Sequence, residues 1–121
     1  MKAEINKILL KAWSGDSALS ETDQNNFKKY MRFRDGQQLF ILLLNQFRTR
    51  RNFTIKNQTA FENLGRLLQI LLKKCDREDT SIPINCQVLA AAYFLTDSQR
   101  EQRFLSEQIM SASIWHDMSF W

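Results

Sequence analysis

Few residues in this chain are of a type and spacing that could carry reaction chemistry. Histidine occurs once, at His116 beside Asp117, so any Ser–His–Asp or Cys–His arrangement must be built on that one ring. Neighbouring residues on a helix point about 100° apart, so the pair reads as an exposed or capping histidine and its neighbour. Cys75 and Cys86 with one histidine fall short of the four ligands of a structural zinc site. Their spacing permits a disulfide, but with no secretory signal in the N-terminal residues the expectation is two reduced thiols. Asp76, Glu78 and Asp79 superficially suggest calcium ligands. The glycine and the closing glutamate that a helix–loop–helix calcium site requires are missing, so a solvated loop is the better reading. Gly15, Gly36 and Gly65 are isolated and build no phosphate-cradling loop. The sequence therefore predicts no enzyme, no cofactor and no metal.

The charge pattern says more. Between Lys28 and Lys56 stand eight cations (Lys28, Lys29, Arg32, Arg34, Arg48, Arg50, Arg51 and Lys56) and one carboxylate, Asp35. The segment carries +7 and the rest of the chain −3, against a total of +4. A solvated helix end with dipole compensation accounts for such a patch first; as a binding surface it suits an acidic protein surface, an anionic membrane or nucleic acid. Nucleic acid ranks last, because no helix-turn-helix, zinc-finger or RNA-recognition signature accompanies the charge. A second group is apolar. Ile114, Trp115, Met118, Phe120 and Trp121 crowd the C-terminal end, and so greasy an end is unfavourable in water. It predicts a chain excised from a longer one, with this tail at a junction.

The elements that would position these groups are helices. The chain has 121 residues, 44% apolar and 25% charged, with three glycines and one proline. That fits one domain with one core and few tight turns. The longest apolar run, Leu39 to Leu44, is far below the ~20 residues that span a bilayer. Apolar spacing predicts a first helix over Ala3 to Trp13, closed at Gly15. A second begins at the capping sequence Ser20-Glu21-Thr22-Asp23 and runs to about Phe33, with the next break at Asp35-Gly36. A third, Gln37 to Arg50, has a wide apolar stripe and is predicted to be central. Its last turn holds Arg48, Arg50 and Arg51, where cations favour the helix dipole. The fourth, capped by Asn57 or Thr59, carries Phe61, Leu64, Leu68, Leu71 and Leu72, and its Gly65 is predicted to admit a close helix–helix approach. Pro83 suits the first turn of a fifth helix, which is apolar nearly all round through Leu95 and so expected to be buried. Thr96-Asp97-Ser98 predicts the start of a sixth, with Phe104, Leu105, Ile109 and Met110. Ile114 to Trp121 would form a short aromatic seventh. The fold class is all-α: a single-domain bundle of about six helices plus the short C-terminal one.

Leu19 to Thr96 resembles the helical region of the SET-binding-factor (myotubularin-related pseudophosphatase) family. The resemblance runs through Leu19-Ser20-Glu21-Thr22-Asp23-Gln24, Phe27, the long helix Phe40 to Arg51 with its basic end, Phe61, Cys75-Asp76 and Ala92-Tyr93-Phe94. The tail, Ile114-Trp115-His116 followed by Phe120-Trp121, is similar to a segment of the mitogen-activated-kinase activating death-domain proteins. Both groups carry a DENN module, which exchanges nucleotide on Rab GTPases. The resemblance implies a non-catalytic helical module of a cytoplasmic trafficking or signalling scaffold, peripheral to vesicle membranes. Its expected partner is another protein or a neighbouring domain, contacted through Arg48, Arg50, Arg51 and Lys56 and through Trp115, Phe120 and Trp121. The alternative is a basic patch for anionic phospholipid or nucleic acid.

Overall fold

A computed structural model describes residues 1–51, 54–76, 80–96 and 98–110, and the side chains of all of these except 48–51. Five helices, α1 (Lys2–Ser14), α2 (Glu21–Met31), α3 (Arg34–Arg51), α4 (Gln58–Lys74) and α5 (Ser81–Ala92), are followed by strands β1 (Phe94–Thr96) and β2 (Gln102–Phe104) and a 3-10 turn (Leu105–Gln108).

The helix ends follow from local chemistry. Gly15 closes α1 at φ 65°, ψ 18°, a conformation that side chains resist. Ser20 accepts the Asp23 amide at 3.0 Å, while the Asp23 carboxylate reaches Lys11 Nζ at 3.3 Å across to α1 instead of completing the capping box. Of the two candidate caps for α4, Asn57 takes the role: its Oδ1 accepts the Ala60 amide at 2.8 Å. Its Nδ2 donates to the Gly15 carbonyl at 3.3 Å, tying the end of α1 to the start of α4.

α4, not α3, is the central helix. It buries ten residues, among them Phe61, Leu64, Leu67, Leu68, Leu71 and Leu72, and packs on α1, α2, the 3-10 turn and β1. Its apolar residues spread beyond one stripe, whereas α3 leaves Gln38, Leu42 and Gln46 exposed. Rings join the layers. Trp13 of α1 lies 5.4 Å from Phe47 and 5.6 Å from Tyr93, and Phe27 meets Phe40 edge-on at 4.9 Å. Such pairs add about 0.5–1.5 kcal/mol beyond their burial. The buried Tyr93 hydroxyl donates to the Leu44 carbonyl at 2.6 Å.

The expected sixth helix does not form. Phe94, Leu95 and Thr96 pair antiparallel with Phe104, Arg103 and Gln102. Tyr93 leaves α5 at ψ 133°, and the bulky or branched residues after it fit a pleated surface. Arg100 turns the hairpin at φ 64°, and the Phe94 and Phe104 rings meet at 5.7 Å. The helix-like spacing of Leu105 and Ile109 is satisfied by the 3-10 turn, which buries both. The Ile55 amide donates to the Phe94 carbonyl at 2.7 Å, with a parallel bridge from Thr54 to Phe94. The predicted aromatic helix at 114–121 lies outside the described residues.

Two further expectations change. Asp35-Gly36 is not the break after α2, since both residues lie in the first turn of α3. A Cβ on Gly36 would overlap the Tyr30 carbonyl oxygen, so glycine is what lets the α2–α3 elbow close so tightly. Gly65 likewise admits a close neighbour, but that neighbour is the Gln108 side chain of the 3-10 turn and not a helix: a Cβ there would lie 2.7 Å from Gln108 Cγ.

Candidate functional site

Two surface features stand out from the packed interior. The first is a groove of about 410 Å3 between α3 and α5. Ile41, Leu42 and Asn45 form one wall and Asn85, Val88 and Leu89 the other. α5 is less buried than its sequence suggests. Pro83, Cys86, Leu89 and Ala90 face the core, but Val88 is 62% exposed, and Leu42 opposite is 51% exposed. The groove falls within the roughly 300–1,000 Å3 range of binding pockets, and the described residues that line it carry no charge.

The second feature is the elbow where α2 ends, α3 begins and α4 ends. Gln37, 5% exposed, donates from Nε2 to the Met31 carbonyl at 2.7 Å and to the Lys74 carbonyl at 3.1 Å. One buried amide therefore holds the three helix ends together. Arg32, Arg34, Lys74 and Asp76 line a cavity of about 230 Å3 there. Ile82 lines both this cavity and the α3–α5 groove and stands between them.

The cations read from the sequence as one patch divide into two. Lys28, Lys29, Arg32 and Arg34 lie at the elbow and are exposed. Arg48, Arg50 and Arg51 occupy the last turn of α3. At 1.5 Å per residue, Arg34 and Arg48 are about 21 Å apart along that helix. The side chains of Arg48, Arg50 and Arg51 lie outside the description, and Lys56 is exposed just before α4. Lys73 and Lys74, exposed at the end of α4, join the elbow group and were not singled out from the sequence, because only the Gln37 bond brings them there. Trp115, Phe120 and Trp121, with His116 and Asp117, lie outside the described residues.

Leu42, Val88 and Phe33 are exposed apolar residues that the sequence reading assigned to no surface. One signal was present for Leu42. Six consecutive apolar residues from Leu39 to Leu44 go round more than a full helical turn, so part of the run must face outwards. Both cysteines are free. Burial pushes the Cys75 thiol up to about 12. Burial, then the neighbouring Cys75, raise that of Cys86. Both thiols are thus protonated at neutral pH and weakly nucleophilic. Among the described residues no group of three or more His, Cys, Asp or Glu side chains is placed to hold a metal ion. None of the described helices is long and apolar enough to cross a membrane.

Fold and surface together define a mostly helical domain with an open apolar groove and a basic elbow. Compared with known proteins, the chain matches no family model, no curated protein and no solved structure.

Proposed function

We propose that the chain is a non-catalytic protein–protein interaction module whose α3–α5 groove receives an amphipathic helix from a partner protein. The observation that carries this reading is the exposure of Leu42 and Val88 on opposite walls of one groove. A helix presenting apolar residues at three- and four-residue steps would bury both, and the amide-bearing rim residues Gln38, Asn45 and Asn85 would meet its polar flanks. The uncharged side chains among the described lining residues favour such a helix. Arg48, Arg50, Arg51 and Lys56, and Trp115, Phe120 and Trp121, belong to the same proposal as further contacts. We further propose, on the resemblance of the sequence alone, that the module is part of a DENN-related, Rab-associated trafficking or signalling scaffold.

Selection of a displayed library of helical peptides on the full chain tests the groove. The expected winners carry apolar residues at helical spacing. Leu42→Glu or Val88→Glu then weakens them about tenfold or more, since each change removes burial worth roughly 1.5–3 kcal/mol. A selection that yields only peptides indifferent to both substitutions refutes the groove. A concentration-dependent dimer abolished by Val88→Glu also refutes it, by making the occupant a second copy. Reversing Arg48, Arg50 and Arg51 to Glu is expected to weaken binding to acidic peptides while leaving the fold intact; unchanged binding removes that patch.

A further inference from the structure

Phe33 stands in a place that local rules do not explain. Its carbonyl accepts the Gln37 amide at 3.0 Å, the first bond of α3, and its own amide donates to Tyr30 at 3.2 Å. It is therefore the N-cap of α3, a position that favours Ser, Thr, Asp or Asn because a side-chain oxygen can satisfy a free amide. Phenylalanine cannot do this, and the ring is 60% exposed at the outside of the bend. A lone exposed apolar residue is ordinary on a protein surface; Phe33 is set apart by holding a cap position that its side chain cannot serve and by the charge around it.

Its surroundings are cationic. Helical geometry continues through Arg32 (φ −66°, ψ −21°), so Lys29 lies one turn beneath Phe33 on the same side. Arg32 and Arg34 flank the ring in sequence, and Lys73 and Lys74 end the helix that Gln37 ties to this bend. With Lys28 these make six exposed cations, against the carboxylates Asp35 and Asp76 among the described residues there. Dipole compensation explains the lysines that end α2 and α4, but not the exposed ring. The α3–α5 groove is lined by uncharged described residues, whereas the elbow exposes an aromatic ring on a segment rich in cations.

We propose that the α2–α3 elbow docks on the anionic surface of a lipid bilayer, with Phe33 entering the headgroup region and Lys28, Lys29, Arg32, Lys73 and Lys74 meeting lipid phosphates and carboxylates. The ring supplies apolar burial, and each cation near the surface supplies about fivefold in partition. This site is separate from the groove and does not depend on it.

Co-sedimentation of the full chain with vesicles tests the proposal. Wild-type protein binds phosphatidylcholine vesicles that contain phosphatidylserine and does not bind phosphatidylcholine alone. Phe33→Ala lowers the partition about tenfold with an unchanged thermal melt, because the ring packs on little; Phe33→Trp retains binding. Lys29→Gln and Arg32→Gln each lower it about fivefold. Val88→Glu leaves it unchanged, so loss of the groove reading and loss of this one are told apart. Equal binding to neutral vesicles, no binding at all, or a Phe33→Ala variant that binds like wild type overturns the proposal. So does a soluble polyglutamate peptide that binds as tightly as the vesicles without regard to Phe33, which would make the elbow a site for acidic proteins.

Discussion

Replacing Asn63 by alanine should cost this fold more than most single substitutions, although Asn63 is a small polar residue on the buried face of α4. Asn63 is 4% exposed. Its Oδ1 accepts the Leu19 amide at 3.0 Å, and its Nδ2 donates to the Ser17 carbonyl at 3.0 Å and the Ala12 carbonyl at 3.5 Å. It thereby satisfies the segment that links α1 to α2 from the middle of α4. Alanine leaves the buried Leu19 amide without its partner, worth about 1–3 kcal/mol, and removes the part-buried bond to exposed Ser17, worth about 1 kcal/mol, so the expected loss is about 3 kcal/mol. A chain of 121 residues has an unfolding entropy near 0.25 kcal/mol/K, which converts the loss to a fall of about 12 °C in Tm. Thermal melts followed by circular dichroism, with urea titrations to confirm that the slope is unchanged, measure it. Asn63→Asp keeps the acceptor but loses the donor and buries a charge. Desolvation raises such a carboxyl in the folded state, so the unfolded state binds fewer protons and stability falls as pH rises above the unfolded value near 4. Asn63→Asp should therefore approach wild type as the pH is lowered. A fall in Tm below about 3 °C for Asn63→Ala, under 1 kcal/mol, would refute the reasoning.

Two glycine substitutions should diverge. Gly36→Ala places a methyl on the Tyr30 carbonyl, which is backbone and cannot turn aside, so a loss of about 1–3 kcal/mol is expected in urea unfolding. Gly65→Ala meets only the Gln108 side chain, and the helix-propensity gain of up to about 1 kcal/mol should offset the contact. Stability should also fall in alkali. Cys75 ionises near its ordinary 9.0 when unfolded and near about 12 when folded. The unfolded chain therefore releases its proton first, and the fold weakens between those values. Urea midpoints should decline above pH 9 and decline less for Cys75→Ala.

Much of the helical architecture was legible because apolar periodicity and capping are local. Gly15, Ser20 and Pro83 mark their helix ends from sequence alone, and the α4 stripe places its core residues. The errors fall where a distant group decides the outcome. Asp35-Gly36 looks like a break until the Tyr30 carbonyl shows that this glycine, already within α3, admits the tight bend that precedes it. Phe104, Leu105 and Ile109 share a helical spacing with a strand end followed by a 3-10 turn, and only pairing with Phe94 separates the two. α5 is apolar on both sides, so its composition could not reveal that Val88 faces outwards. The binding features suffer most. Lys74 and Arg32 are remote in sequence, and the Gln37 amide that unites them has no periodic signature.

That amide has a consequence for anything that meets the elbow. A bend between helices usually flexes, and a partner must then pay to freeze it. Here Gln37 bonds two backbone oxygens from different helices, so the bend is cross-tied before contact. Phe33 is presented on a braced mount, and association there forfeits less than on an untied bend, chiefly the wagging of a few long basic side chains.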